Sequence, residues 1–396
     1  MNILLCNYEY PPLGGGGGVV MAALARDLAR RHAVTVITSR AAGLPEETLE
    51  GAVRVLRVPV LLRRQRAVAN FPSMLAYLPM AALRGWSFGR GQKVDVINTH
   101  FVVPTGPVGQ LLSGIFKAPN VLSVHGGDLY DPSKRASPHR HWWLRAPIRR
   151  LLSQADRVVG QSRDTLGRIE SIYGVRRKTE LIPLGIERPP GIQGVGREQL
   201  GLPQDAFVMV TVGRLVARKA VGQLLEVLQQ CGRPRAHLVV IGTGPELAAL
   251  RSSASQRGIA ERVHFLEQVS ESRKYEVLKL SDVFVSTSQH EGFGLVYLEA
   301  MAAGVPVICY DRGGQTDFLQ NGETGCVIRL NDLTAFTGAV GELHDSPELR
   351  RRMGDNNLRR VESYFIDSCA RRYESVFDAA LTEHAAGAQR PASGVP

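Results

Sequence analysis

The stretch that most constrains the fold of this chain is residues 290–308, HEGFGLVYLEAMAAGVPVI. Residues 281–287, just before it, are rich in β-branched and aromatic side chains, which predicts a buried strand. Gly304 and Pro306 end the helix that follows, and residues 305–310 predict the next strand. A strand, a tight loop, a helix and a second strand make a βαβ unit, whose loop lies at the carboxyl end of a parallel sheet. The pattern therefore predicts an α/β fold with a ligand site at this loop.

Two carboxylates stand eight residues apart in this stretch, at Glu291 and Glu299. Glu291 falls in the predicted loop, and Glu299 lies on the helix about two turns behind it. The two side chains can therefore contact different parts of one elongated ligand.

The length of 396 residues is sufficient for two or three domains. Alternating strand and helix patterns predict one Rossmann-like, doubly wound domain over residues 1–190 and a second over 206–363, with a linker rich in Pro and Gly at 191–205. We expect a C-terminal helix at 364–384 and a disordered tail at 385–396.

Five consecutive glycines lie between the first predicted strand and the first predicted helix. Glycine lets backbone amides approach an anion closely, and a helix N-terminus favours negative charge, so we expect Gly15, Gly16 and Gly17 to contact a phosphate or the acceptor. A flexible loop is the alternative interpretation. The glycine spacing of a dinucleotide site fails because Val19 and Val20 occupy the positions for its last glycine, which disfavours an NADP-type oxidoreductase.

The net positive charge of the chain comes entirely from its first half. Residues 1–190 carry 26 Lys and Arg against 13 Asp and Glu, whereas the remainder carries 22 against 24. Residues 137–152 mix arginine with Trp142 and Trp143, as an interfacial helix on anionic lipid does. A basic helix whose tryptophans pack on their own domain is an equal alternative. No nucleic-acid-binding motif accompanies the charge, so nucleic acid is not an expected partner.

The cysteines and the apolar stretches indicate the cellular compartment of the protein. The five cysteines show no metal-binding spacing, and MNILLCNYEY lacks the features of a signal peptide. Apolar stretches fall short of the ~20 residues that a membrane span needs. These features predict a cytoplasmic protein, peripheral to the inner face of the membrane if the basic segment binds lipid.

Four loops of the second predicted domain follow strands, and in a parallel sheet such loops share one edge. We expect the following residues to converge there: Arg214, Lys219, Gly242, Gly244, Glu291, Phe293, Gly294 and Glu299. Two cations suit a diphosphate, and carboxylates suit the hydroxyl groups of a ribose and a hexose. The combination therefore predicts a sugar-nucleotide site.

These stretches resemble retaining glycosyltransferase family 4. The matching residues are Gly213-Arg214-Leu215 with Lys219, Ile241 to Glu246, the Glu291/Glu299 pair with its Gly-Phe-Gly, Pro11 to Gly18, and His125-Gly126-Gly127-Asp128. The resemblance implies a GT-B fold, in which two Rossmann-like domains face a cleft and the C-terminal helix crosses back to the N-terminal domain. It also implies transfer of a hexose from a nucleotide-diphosphate sugar to a saccharide or lipid-linked acceptor, in polysaccharide or glycoconjugate biosynthesis.

The resemblance also implies roles for single residues in the second domain. Arg214 and Lys219 would bind the donor diphosphate and stabilise the leaving nucleotide. Glu299 would hold the ribose hydroxyls. Glu291 would hold the donor sugar together with backbone amides at three positions, namely Phe293, Gly294 and Leu295. The family usually has Gly after the lysine, and Ala220 at this position predicts a slightly different loop.

In the first domain, two predicted strands end in His100 and His125. The resemblance places His125 by the reacting centre, where it would position the substrate or stabilise the transition state; a structural histidine is the alternative. Asp128 is a weaker candidate that could cap a turn. No Asp-x-Asp motif is present, so we expect neither a metal nor another cofactor. For retention we expect front-face attack. A double displacement needs a carboxylate below the anomeric carbon, and the only candidate in the sequence, Glu291, has a motif role that argues for hydroxyl binding instead.

Two further functions fit the same fold. A sugar-nucleotide 2-epimerase would bind the same donor without an acceptor, and the basic, aromatic surface of the first domain argues against it. A non-catalytic sugar-nucleotide-binding subunit is the other alternative, which the presence of Arg214, Lys219, Glu291 and Glu299 disfavours.

Overall fold

The computed structural model divides the chain into two compact units. The first consists of Met1–Gly185 and the C-terminal segment that begins at Ile366, and the second is Ile186–Phe365. The residues that the structure describes are 1–60, 71–132, 137–191 and 196–388.

The first unit is built on an eight-stranded sheet. Its strands are β1 (Asn2–Asn7), β2 (Ala33–Arg40), β3 (Glu47–Glu50), β4 (Val53–Pro59), β5 (Val96–His100), β6 (Asn120–Val124), β7 (Arg157–Gly160) and β8 (Thr179–Leu181). The order is β3-β4-β2-β1-β5-β6-β7-β8, and all pairs are parallel except β3 with β4. Strands after β1 are added first on one side of it and then, from β5 onward, on the other. Doubly wound folds bind ligands at such a switch point.

Helices cover both faces of this sheet. Those that precede the second unit are α1 (Gly16–Leu28), α2 (Phe71–Gly89), α3 (Gly106–Phe116), α4 (Trp142–Gln154) and α5 (Arg163–Tyr173). Buried apolar side chains of α1 pack on one face, while those of α2 and α3 pack on the other. Because both faces are covered, β1 is buried from its second residue onward and carries a continuous apolar run, ILLC.

The second unit has a six-stranded parallel sheet. Its strands are β9 (Phe207–Val212), β10 (Ala236–Ile241), β11 (Val263–Leu266), β12 (Val283–Ser286), β13 (Val307–Tyr310) and β14 (Gly325–Ile328). Its helices are α6 (Val221–Gln230), α7 (Leu247–Gln256), α8 (Glu271–Leu280), α9 (Leu295–Ala302), α10 (Leu333–Asp345) and α11 (Pro347–Val361). The order β11-β10-β9-β12-β13-β14 is that of a Rossmann fold, with its switch point between β9 and β12.

The last helix, α12 (Ile366–Ala388), belongs to the first unit. Its buried Tyr373 and Phe377 join the core that α1 forms with the sheet, and burial of each ring contributes roughly 1.5–3 kcal/mol. The return of the C-terminal helix to the N-terminal domain is therefore confirmed.

The tail and the linker differ from the sequence-based prediction. The expected tail at 385–396 is helical as far as Ala388, because its Ala-rich start favours helix, and residues 389–396 lie outside the described residues. Within the predicted linker, Arg197–Leu200 forms a 3-10 turn. Leu200 and Leu202 are buried, so this segment packs as part of the second unit.

Within the described ranges, no helix combines the length and the hydropathy that spanning a membrane requires.

Candidate active site

The loops that follow β9 and β12 are hydrogen-bonded to each other at the switch point of the second sheet. Gln289 N donates to Arg218 O at 2.9 Å, and Thr287 Oγ1 donates to Ala220 O at 2.9 Å. These bonds join the segment that carries Lys219 to the segment that carries Glu291. The predicted convergence of these two residues follows from this pairing.

Glu291 is buried between two cations. Lys219 Nζ forms an ion pair with Glu291 Oε1, and Arg218 Nη1 lies 3.3 Å from Glu291 Oε2. The backbone is fixed as well, since Gly314 N donates to Glu291 O at 3.0 Å. Burial alone would raise the pKa of Glu291, but the charges of Lys219 and Arg218 outweigh it and lower the pKa to about 2. The carboxylate is therefore ionised and held in one position.

Arg218 is a site residue that the sequence analysis missed. Besides its contact with Glu291, its guanidinium donates to His290 O and so holds the β12 loop from a second point. Arg214, which was predicted, is instead exposed, and within the described part of the chain it has no ion-pair partner. The adjacency of Arg218 to Lys219 was the only local signal for its role.

Ala220 has a left-handed backbone, with φ of 46°. This conformation costs a non-glycine residue about 1–2 kcal/mol, which explains why the family usually has glycine at this position. The loop keeps the shape that glycine would favour, and Lys219 is held beside Glu291 despite the substitution.

Gly242 and Gly244 lie where two loops touch through their backbones. A Cβ on Gly242 would overlap Gly213 O, and one on Gly244 would overlap Leu215 O. Leu215 N in turn donates to Thr243 O at 2.9 Å. Their observed role is to let the loops after β9 and β10 pack closely.

The loop before α9 presents backbone rather than side chains. Gly294 precedes the helix with φ of 94°, and Leu295 is the first helical residue. The ring of Phe293 is buried against Phe318, with centroids 5.2 Å apart. Any contact of Phe293 with a ligand is therefore made by its backbone.

Glu299 lies on α9 with a partner that the sequence analysis missed. Lys274 Nζ is 2.9 Å from Glu299 Oε1 and 2.7 Å from Glu271 Oε2. Glu299 Oε2 is buried and accepts no hydrogen bond from the described residues. Burial raises the pKa of Glu299, and the charge of Lys274 opposes this increase.

In the first unit, the glycine loop leads directly into α1. Gly15 precedes the first helical residue, Gly16, and Gly15 N donates to Glu9 Oε2 at 3.3 Å. Gly17 faces the ring of Phe101, which a Cβ at this position would overlap at 2.7 Å. The Glu9 carboxylate thus accepts the hydrogen bond of an amide that was expected to contact a phosphate or the acceptor.

His125 lies after β6 in a buried hydrogen-bonded group. Its Nε2 is 2.9 Å from His100 Nδ1, and Gln161 Nε2 donates to its carbonyl oxygen at 2.6 Å. The ring of Phe101, whose φ is 68°, stacks on the imidazole at 4.2 Å between centroids. Burial lowers the pKa of His125 to about 4, so the ring is neutral at neutral pH. Neither His100 nor Gln161 was predicted as a site residue.

Asp128 has the capping role that was its alternative interpretation. Its carboxylate accepts from His125 N at 3.0 Å and from Val102 N at 2.7 Å. These bonds hold the loop after β6 against the loop after β5.

The structure thus brings Lys219 together with Glu291, leaves Arg214 exposed, and places His125 and the glycine loop in the other unit. No group of three or more His, Cys, Asp or Glu side chains within the described residues is arranged to hold a metal ion.

Two family models match the chain. The model for Glycosyltransferase Family 4 matches residues 14–188, and the model for Glycosyl transferases group 1 matches residues 195–360. Together they span most of the sequence.

Three known proteins show the similarity in detail. A D-inositol 3-phosphate glycosyltransferase of Streptomyces scabiei is 27% identical over 400 residues, covering 93% of this chain and 87% of that protein. A GDP-mannose-dependent alpha-(1-6)-phosphatidylinositol monomannoside mannosyltransferase of Mycolicibacterium smegmatis is 29% identical, covering 89% and 91%. The solved structure of sucrose-phosphate synthase from Thermosynechococcus elongatus matches with a TM-score of 0.84 at 23% identity, covering 97% of this chain and 100% of that one. The predicted fold is confirmed, and the chain is a glycosyltransferase of the GT-B fold that belongs to glycosyltransferase family 4.

Proposed function

We propose that this protein transfers a hexose, with retention of the anomeric configuration, from a nucleotide-diphosphate sugar to a saccharide or lipid-linked acceptor in polysaccharide or glycoconjugate biosynthesis. The observation that carries the proposal is the buried ion pair of Lys219 and Glu291 at the switch point of the second sheet. It joins a cation for a phosphate group to a carboxylate for sugar hydroxyls. The name of the Mycolicibacterium relative, which specifies GDP-mannose, supports a nucleotide-sugar donor.

The donor would be bound through its charged and hydroxyl groups. Arg214 is exposed and has no ion-pair partner among the described residues, so its planar guanidinium is available to bind a diphosphate. Lys219 has further N–H donors besides the one directed at Glu291. Glu299 Oε2 would accept a hydrogen bond from a ribose hydroxyl, and the amides at residues 293–295 would contact the sugar.

The reaction breaks the bond between the anomeric carbon and a phosphate oxygen, and negative charge develops on the departing phosphate. Arg214 and Lys219 would stabilise that charge by preorganised electrostatics, without a metal ion. The attacking acceptor hydroxyl would give its proton to the leaving phosphate oxygen on the same face. Glu291 is a poor candidate for a nucleophile, because Lys219 and Arg218 already hold its charge. We assign it to a donor-sugar hydroxyl.

Two elements of the first unit would act in the same reaction. His125 is neutral and would position a hydroxyl group rather than bind phosphate as a cation. The amides of Gly15, Gly16 and Gly17 would contact a phosphate or the acceptor, and the Glu9 carboxylate would have to leave Gly15 N for an anion to bind there.

A membrane-associated acceptor is supported by the surface of α4. The side chains of Trp142 and Trp143 are 82% and 51% exposed, so they do not pack into their own domain. Arg145, Arg149 and Arg150 are exposed on the same helix. Aromatic rings next to arginines suit the interface of an anionic bilayer.

Helix α2 also exposes apolar side chains. Its buried stripe contains Tyr77 and Ala81, yet the opposite stripe is also apolar, with Leu75, Leu83 and Trp86 exposed at 51%, 64% and 40%. A helix that is apolar all round is normally covered on every side. Lipid would cover this face. Arg63, Arg64 and Arg66, which precede α2 in the sequence, lie outside the described residues.

The donor is tested by a thermal-shift and hydrolysis screen against UDP-linked and GDP-linked hexoses. One donor should raise the melting temperature of the wild type but not that of Glu299→Ala, while Glu323→Ala, at an exposed turn, should behave as the wild type does. Binding of a donor without hydrolysis or transfer would favour the non-catalytic sugar-nucleotide-binding alternative, and absence of binding by any donor at millimolar concentration would contradict the proposed class of donor. NMR of the product then reports whether the anomeric configuration is retained.

The same assay separates transfer from epimerisation. A 2-epimerase would change the sugar of the donor in the absence of any acceptor, whereas a transferase leaves the donor intact or hydrolyses it slowly. The relatives named above are transferases by name, which also favours transfer. Addition of EDTA should leave the rate unchanged.

Membrane binding through the exposed surface of α4 is tested by sedimentation with anionic and with neutral vesicles. The wild type should bind the anionic vesicles and lose binding at high salt. A Trp142→Ala, Trp143→Ala double variant should bind less, and Leu358→Ala, at an exposed leucine of the second unit, should not. Vesicle binding that is independent of both lipid charge and salt concentration would contradict the proposal.

A further inference from the structure

Lys274 is a buried lysine in the donor-binding unit that has no role in the proposal above. It lies near the start of α8, is 8% exposed, and forms ion pairs with Glu271 and Glu299. Lysine is rarely buried unless it is paired, because burial disfavours its charge. The two carboxylates therefore determine whether Lys274 stays charged.

The partner that keeps Lys274 charged is mainly Glu299. Burial lowers the pKa of Lys274, but Glu299 and then Glu271 more than offset this and raise it. The side chain of Glu271 is 76% exposed, so water and salt screen its charge, whereas that of Glu299 is only 16% exposed. Lys274 and Glu299 thus form a buried pair that Glu271 supports from the surface.

The other groups that face Glu299 are few. Lys274, Glu271 and Tyr275 come from α8, and Glu187 is close enough to act on Tyr275 along with the two carboxylates. Lys274 is therefore the one cation found next to Glu299 within the described residues. Without it, only burial and like charges would act on Glu299, and both favour the protonated form.

The two oxygens of Glu299 have different surroundings. Oε1 accepts from Lys274, while Oε2 is buried with no hydrogen-bond donor among the described residues. A buried carboxylate oxygen without a donor costs free energy unless a ligand supplies one. Resting on the proposed function, we propose that Lys274 is a positioning residue for the donor: it keeps Glu299 ionised and oriented so that Oε2 accepts a ribose hydroxyl of the nucleotide sugar.

The pH dependence of donor binding follows from this role. An ionised carboxylate accepts a hydroxyl hydrogen bond better than a protonated one. In the wild type, burial raises the pKa of Glu299, and the charge of Lys274 opposes this increase and favours the ionised form. When Lys274 is replaced by an apolar side chain, Glu299 should take up a proton at a higher pH than before, and donor affinity should fall as the pH falls.

The test uses Lys274→Met, which keeps the length of the side chain, Lys274→Arg, which keeps its charge, and Glu271→Gln as the surface control. Calorimetry gives the Kd of the donor found in the screen from pH 5.5 to 8.5. We expect Lys274→Met to bind about tenfold more weakly at pH 6 and to recover toward pH 8.5, since one pKa unit corresponds to a tenfold change. Lys274→Arg and Glu271→Gln should stay within about threefold of the wild type, with unchanged melting temperatures.

A ligand-free measurement keeps this inference separate from the proposed function. NMR of 13C-labelled glutamate, with Glu299→Gln used for assignment, gives the titration of Glu299 in the free protein, and Lys274→Met should move it upward by about one unit or more. If the wild type binds no donor, the proposed function fails, yet the titration still decides whether Lys274 keeps Glu299 ionised. An unshifted titration, or a loss of affinity that is equal at every pH and not rescued by arginine, would overturn the inference.

Discussion

His100 Nδ1 lies 2.9 Å from Nε2 of His125, and both imidazoles are buried. Asn98 Nδ2 donates to Val121 O and Ser123 Oγ, so its Oδ1 must accept from His100 Nε2 at 2.6 Å. A neutral His100 then has no hydrogen on Nδ1 and accepts from His125 Nε2. Nδ1 of His125 is left as an acceptor without a partner among the described residues.

The first prediction concerns pH and stability. Burial lowers the pKa of His125 to about 4, below the ~6.5 of an unfolded chain, so between these values the unfolded state binds more protons. The contribution of a neutral His125 to the free energy of unfolding is fully present above about pH 6.5, and about 3 kcal/mol of it should be lost as the pH falls toward 4. Urea unfolding across this range should show a shallower dependence in His125→Asn than in the wild type.

The matched control for this prediction is His141→Asn, at a partly exposed position before α4. It should keep the wild-type dependence on pH. An equally steep loss of stability in His125→Asn would show that this imidazole does not titrate as the geometry requires.

Much of the fold could be predicted from the sequence because its signals are local. Several buried parallel strands contain continuous apolar runs, and several of the loops that follow them carry glycine where φ is positive or where backbones meet. Gly294 illustrates the first case and Gly244 the second. The pair Glu291 and Glu299 was found for the same reason, since its spacing is short.

Two partners of these carboxylates, Arg218 and Lys274, were not predicted, because each comes from a distant segment. Arg218 is 73 residues from Glu291, and Lys274 reaches Glu299 from a different helix, α8. Arg214 and Arg218 are both arginines in one loop, and nothing in their local pattern shows which one faces the carboxylate. His100 was noted at a strand end, but its role depends on Asn98 and His125 together.

The second prediction concerns the close contact of the two glycine loops. In Gly244→Ala, the new Cβ would overlap Leu215 O, which is backbone and cannot move aside cheaply. We expect a loss of about 2–3 kcal/mol in the free energy of unfolding. Gly222→Ala is the control, because a Cβ at this helical position meets nothing within 4 Å and should stabilise by about 0.5–1 kcal/mol. Equal stability of both variants would contradict the close packing.

The third prediction concerns the left-handed residue after Lys219. Ala220→Gly relieves a positive φ and should raise the free energy of unfolding by about 0.5–1 kcal/mol, after the entropy that glycine costs is subtracted. Ala249→Gly, at an exposed position of α7, should lower it by a similar amount. Destabilisation by Ala220→Gly would show that this loop is not strained. Chemical denaturation of both variants measures the difference.

The fourth prediction separates the stability of the Lys219–Glu291 pair from its catalytic role. Lys219→Met leaves the buried Glu291 with Arg218 alone and should cost about 2–3 kcal/mol. Glu291→Gln removes the charge that both cations face and should cost less, because Lys219 and Arg218 are nearer to solvent.

The double variant should cost less than the two single changes together, by about 1–2 kcal/mol, since the second change removes the charge that the first left unpaired. Additive losses would mean that the two side chains do not interact in solution. Below pH 4.5 the advantage of the pair should fade as Glu291, whose pKa is lowered to about 2, becomes protonated. Sugar transfer, in contrast, should stay low in all three variants, because restored stability does not restore the cation for the phosphate or the carboxylate for the sugar.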